Sequence, residues 1–133
     1  MTDAYFQLGT EAAGSARFVD VEADVPFIEF LPGLGFRPVL GQNVMVNFVY
    51  FEANTEAPLH SHDEEQVVVV IDGEFEFEAG GERRLMRRGQ VAVVPSNVPH
   101  AARTFDSTCF EVDVFCPPRQ GLLDLMRERT LEA

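Results

Sequence analysis

Short runs of β-branched and aromatic residues recur along this chain with glycine, proline or asparagine between them. That spacing commits it to an all-β fold. The runs NVMVNFVYFE (43–52), QVVVVI (66–71), EFEFE (74–78), RRLMR (83–87), QVAVVP (90–95) and CFEVDVFC (109–116) predict strands, and AGGE (79–82) predicts a hairpin turn. In EFEFE the period of two puts Phe75 and Phe77 on one face. Glu74, Glu76 and Glu78 then share the other, where Arg83, Arg84 or Arg87 of the next strand can pair with them. Antiparallel strands in this order predict a sandwich or barrel. The tail QGLLDLMRERTLE (120–132) alone has a helical pattern, with Leu122, Leu125 and Met126 on one side, and is expected to pack against the body or a partner subunit.

The chain has 133 residues, the length of one domain with a real core. A single domain over residues 1–133 is expected, with its barrel core at about 40–117. The 22 acidic and 10 basic residues leave a net charge of −12, which repels phosphate backbones and anionic bilayers. Nucleic-acid and membrane partners are therefore not expected, and a small-molecule ligand is. The opening MTDAYFQLGTEAAGSARF lacks the basic and apolar regions of a targeting segment, and a cytoplasmic protein is expected. Cys109 and Cys116 lack a metal or disulfide spacing and read as reduced, packed thiols.

Chemistry enters with the three histidines. In an extended segment His60 and His62 of HSHDEEQ project to the same side with Cα atoms roughly 6.6 Å apart, close enough to share one metal ion, although a surface pair would satisfy the same spacing. Gln66 has the same parity. His100 ends GQVAVVPSNVPH, where a valine-rich strand stops at a proline and a tight turn follows. A barrel gathers the ends of distant strands at its mouth, so His60, His62, Gln66 and His100 form the economical candidate for one metal site.

A second set lies in FEVDVFCPPRQG (110–121). Period two puts Glu111, Asp113 and Phe115 on one strand face; that face either meets solvent or lines the interior. Pro117 and Pro118 predict an extended exit that holds Arg119 beyond the strand.

The two histidine segments resemble the paired motifs of the cupin superfamily, G-x5-H-x-H-x3-E-x6-G and G-x5-P-x-G-x2-H-x3-N, over residues 54–104. Asn54 and Asn97 replace glycines, Gln66 replaces the glutamate and Thr104 the final asparagine. Asparagine tolerates the left-handed region, so both turns survive. A neutral amide at 66 leaves a bound divalent ion its full charge and requires a base from elsewhere. With DVFCPPR added, the chain is similar to small single-domain cupins of the KdgF type, although QGLLDLM after Arg119 departs from their pattern.

That resemblance implies a jelly-roll β-barrel with a short C-terminal helix. It also implies one divalent transition metal ion (Mn, Fe, Co, Ni, Cu or Zn) on His60, His62, Gln66 and His100, with Asp113, Phe115 and Arg119 as catalytic positions. The implied reaction converts 4,5-unsaturated monouronates to linear keto forms, with Asp113 moving the proton, Arg119 binding the carboxylate and Phe115 offering a flat face to the sugar ring. A cupin dioxygenase or cyclase acting on an aromatic or polyketide molecule, and a non-catalytic sugar- or metal-binding module, are the alternatives. Exposed sheet edges and the resemblance together predict a homodimer.

Overall fold

The computed structural model describes residues 16–132, with side chains described as far as Arg129. The N-terminal stretch read above for a targeting segment lies almost wholly outside the described residues. After a four-residue helix α1 (Val21–Asp24), capped by the Asp20 carboxylate on the Ala23 amide, the chain enters a run of strands. These are β1 (Ile28–Leu31), β2 (Leu34–Leu40), β3 (Met45–Phe51), β4 (Glu56–His60), β5 (Glu65–Ala79), β6 (Glu82–Arg87), β7 (Val91–Val94), β8 (His100–Arg103) and β9 (Cys109–Cys116). Helix α2 (Gln120–Glu132) follows, as its pattern predicts.

All pairings are antiparallel. One sheet runs β1-β2-β3-β9-β5-β7 and the other β6-β5-β8-β4, so β5 belongs to both. The segments 66–71 and 74–78, expected as separate strands, are one strand of 15 residues. Its pairing with β9 shifts between Val70 and Asp72, and there β5 turns the corner from one sheet to the other. The corner needs Gly73: its φ is +77°, and a Cβ there would lie 2.1 Å from the Thr108 carbonyl oxygen.

The core is formed where inward-facing positions meet. β3 alternates without a break, burying Met45, Asn47, Val49 and Phe51, and β9 does the same with Cys109, Glu111, Asp113 and Phe115. Leu122, Leu123 and Met126 of α2 join this core, so the helix packs on the body of its own chain, and Arg129 tethers it to the Glu29 carbonyl at 2.9 Å. The sheet begins at Ile28, ahead of the boundary near residue 40 expected from the sequence.

On the outer face the charge ladder forms as its register requires. Arg87 meets Glu74 at 3.1 Å and Arg83 meets Glu78 at 3.2 Å, while Arg84 turns to Glu82. Glu76 is taken instead by Arg103 of β8, at 2.5 Å. Exposed pairs of this kind contribute little each and serve mainly to fix register.

Candidate metal and proton-transfer site

His60 ends β4, and its cross-strand partner is His100, the first residue of β8. His62 follows in the loop, and its carbonyl accepts the Asn97 amide at 2.8 Å, which ties the two histidine segments together. Asn97 can make that bond because it sits at φ +65°, in the left-handed region. Asn54, at φ +55°, does the same for the loop before β4, its amide bonding the Phe105 carbonyl at 2.8 Å. Thr104 closes this second clamp: its buried hydroxyl donates to the Glu52 carbonyl at 2.6 Å and accepts the Thr55 amide at 3.0 Å.

The three imidazoles converge. Ring centroids lie 4.2 Å apart for His60 and His100, 4.9 Å for His62 and His100, and 5.7 Å for His60 and His62. One ring nitrogen from each falls within 4.8 Å of the others. Each Nδ1 lies against a backbone carbonyl: Pro58 at 2.8 Å for His60, Glu64 at 3.0 Å for His62 and Val98 at 2.9 Å for His100. A carbonyl only accepts, so in His60 and His100 Nδ1 carries the hydrogen and Nε2 keeps a lone pair, while the His62 Nε2 lies 3.0 Å from the Gln66 Oε1, an acceptor placed to share an ion with it. The His100 Nε2 is buried with no hydrogen-bond partner among the described residues.

Burial pushes His100 down to about 4, helped by the neighbouring imidazoles and Arg119, and burial lowers His60 as well. Both rings are neutral at pH 7. Three convergent imidazoles, one of them with a buried and otherwise unsatisfied Nε2, fit a divalent transition ion.

Gln66, the second residue of β5, completes the set. Its Oε1 lies 3.0 Å from the His62 Nε2, while its side chain hydrogen-bonds Asp113. A carboxylate accepts only, so the amide nitrogen faces Asp113 and the oxygen is left for the histidine side. The glutamine thus joins the metal ligands to the proton-carrying candidate.

Asp113, expected as either solvent-facing or interior, is interior: it is 8 % exposed and Glu111 is 3 % exposed. Both carboxyls line a cavity of about 280 Å³ between the sheets, together with His60, Gln66, His100 and Arg119. The rest of the wall is apolar, with Phe30, Phe36, Phe51, Phe75 and Phe77 prominent. Burial raises both carboxyls. For Asp113, hydrogen bonds from Glu111 and Gln66 and the charges of Arg119 and His62 oppose that rise. Glu111 has no such relief, and the adjacent Asp113 pushes it well above the usual carboxylate range. Of the two, Glu111 is the one pushed further toward its protonated form.

Arg119 stands just before α2 and accepts the Leu122 and Leu123 amides on its carbonyl. The turn into the helix starts from a cis Cys116–Pro117 bond, where a uniformly extended exit was expected. The Arg119 guanidinium lies over the Phe115 ring, 5.7 Å from its centroid. Phe115 is 1 % exposed and meets the His62 ring edge-on at 5.6 Å. It supports one ligand and one cation from behind, in place of the open face for a sugar ring expected above, because its strand parity points it into the core. Cys109 is buried, with a thiol pushed up to about 12 by burial, whereas Cys116 is exposed, so the expectation of two packed thiols holds only for Cys109.

Two antiparallel sheets closed around three convergent histidines define a β-barrel with a candidate metal site. The cupin domain matches residues 47–114, and the chain belongs to that family. The pectin degradation protein KdgF of Dickeya dadantii (strain 3937) is 24 % identical over 105 residues, covering 77 % of this chain and 96 % of that protein. Among solved structures, an RmlC-like cupin from Shewanella frigidimarina NCIMB 400 superposes with a TM-score of 0.74 at 25 % identity, covering 81 % of this chain and 96 % of that one. KdgF from Halomonas sp. gives 0.72 at 26 % identity, covering 81 % and 98 %. The chain is similar to KdgF proteins in sequence and in fold. Among the described residues, no helix is long and apolar enough to cross a membrane.

Proposed function

We propose that this cupin is a metal-dependent enzyme that converts 4,5-unsaturated monouronates to their linear keto forms. The observation that carries the reading is the meeting of a carboxylate, a guanidinium and imidazoles in one cavity: Asp113, Arg119, His60 and His100 with Gln66, and His62 clustered with the other two histidines. The likeness to KdgF proteins supports the choice of substrate.

His60, His62, Gln66 and His100 would hold the ion, and a divalent ion there supplies stabilisation for negative charge developing on substrate oxygen. Arg119 offers a planar fork to the uronate carboxylate. Asp113 takes the proton of the anomeric hydroxyl as the bond from the anomeric carbon to the ring oxygen breaks, leaving an aldehyde and an enolate. The same proton returns to C4 of the enolate, which becomes the ketone, so the reaction is an isomerisation with no net loss of atoms. Asp113 suits this role because its carboxyl lines the cavity beside Gln66 and Arg119, screened from bulk water. The chain's overall negative charge slows capture of an anion, but near charges outweigh distant screened ones.

The test is the ultraviolet absorbance of an unsaturated monouronate, whose double bond is conjugated to its carboxylate. Metal-loaded protein is expected to speed its loss. Chelator-treated protein and Asp113→Asn with metal retained are expected to fall to the spontaneous rate. The phenylalanine-lined wall favours a second reading, a dioxygenase or cyclase acting on an aromatic molecule. Inertness toward uronates combined with oxygen uptake on a phenolic substrate would select it. The proposal extends to a homodimer, supported by the exposed Val91 and Val93 on β7, a strand whose outer edge is unpaired among the described residues.

A further inference from the structure

Glu111 has no part in the reaction outlined above, yet it is more deeply buried than Asp113 and lines the same cavity. Its cross-strand neighbours are Val49 on β3 and Val70 on β5, neither of which offers a polar group. The titratable groups that face it are Asp113 and Cys109, two residues away on either side along β9. Its carboxyl hydrogen-bonds that of Asp113, and the Oε1 of Glu111 and Oδ1 of Asp113 are left buried without partners. Among the described residues, Glu111 forms no ion pair.

A hydrogen bond between two carboxyls requires a proton on one of them, and two ionised carboxylates in contact would repel strongly in so dry a place. The choice between them follows from their surroundings. Asp113 has Gln66 as a further donor and Arg119 as a nearby cation, while Glu111 has valines. An isolated buried acid on a strand would serve stability better as a valine or leucine, since an unpaired polar group costs free energy to bury.

We propose that Glu111 is a positioning residue: the hydrogen bond between its carboxyl and that of Asp113 keeps the Asp113 carboxyl turned toward the cavity. Glu111 and Gln66 together grip Asp113 from two sides, one along its own strand and one from β5. The identity of Asp113 as the base rests on the proposed function; the hydrogen bond and its proton do not.

Infrared spectra of the metal-loaded protein at pH 7, wild type against Glu111→Gln and Glu111→Leu, test this directly. The wild type is expected to show the carbonyl stretch of a protonated, buried acid, absent in both variants. Glu111→Gln, whose amide can still donate, should keep kcat within about threefold, whereas Glu111→Leu should lose about tenfold or more in kcat with KM and metal content unchanged. A merely structural role would not be rescued by glutamine in this way. An ionised Glu111 in the spectrum, or a leucine variant with wild-type kcat, overturns the proposal. If the wild type does not turn over uronates, the proposed function fails by itself. The acid band and a shifted Asp113 carboxylate stretch in Glu111→Leu then decide the role of Glu111.

Discussion

The side chain of Gln66 makes two contacts that a glutamate could not make together. Its oxygen faces the histidines and its amide hydrogens face Asp113. Gln66→Glu would keep an oxygen for the metal but set a second carboxylate against Asp113, which would then hold a proton and cease to act as a base. The expected result is a fall in kcat of roughly 100-fold, with metal content by elemental analysis unchanged. Loss of the metal instead would show that the amide matters as a ligand and not as a donor. Thr104 gives a second test, since its hydroxyl bridges Glu52 and Thr55. Thr104→Val keeps the shape and strands a buried amide, for an expected loss of about 1–3 kcal/mol in denaturant unfolding. The sequence makes the histidine set visible because parity along a strand is a local property. It leaves Glu111 ambiguous, because period two assigns Glu111 and Asp113 to one face without saying whether that face meets water or the cavity. Only pairing with β3 and β5 decides it.

Strand β5 shows what a local pattern can and cannot carry. Both of its halves are readable from QVVVVI and EFEFE as separate strands, and only the sheets on either side make the glycine between them a corner. Gly73→Ala would force a Cβ against the Thr108 carbonyl at a left-handed φ. We expect a loss of about 2–3 kcal/mol or more, seen as a lower midpoint in urea, because neither strand can move without breaking its ladder. An unchanged midpoint would mean that the corner relaxes easily. The strands that the sequence hides have specific reasons for being hidden. Pro38 lies inside β2 and Pro58 inside β4, and proline argues against a strand unless the missing donor faces an edge or an irregularity. β4 does lie at the edge of its sheet, and its register with β8 shifts between Ala57 and His60. β8 is HAAR, with no β-branched residue, and is a strand because β4 and β5 flank it. The hairpin at Gly80 and Gly81 was readable, since both take positive φ as a tight turn requires.

For the molecule as a whole, burying Glu111 ties stability to pH. Its value in the folded state lies well above the ordinary 4.5, chiefly through burial and then through the charge of Asp113. Between those two values the folded chain binds a proton that the unfolded chain has released, so stability falls as pH rises. The stabilisation is fully present below about 4.5 and is lost as pH passes through the folded-state value. One such proton gives a slope of at most about 1.4 kcal/mol per pH unit. The many surface carboxylates of this acidic chain add a background of their own, so the informative quantity is a difference. Glu111→Gln removes the titrating group while keeping its size, and the variant's stability minus that of the wild type should climb as pH rises above about 4.5 and level off once the folded-state value is passed, measured by urea unfolding at each pH. A difference that stays flat would place the proton elsewhere. In that event Asp113 would have to carry it, and a protonated Asp113 at neutral pH could not be the base that opens the sugar ring.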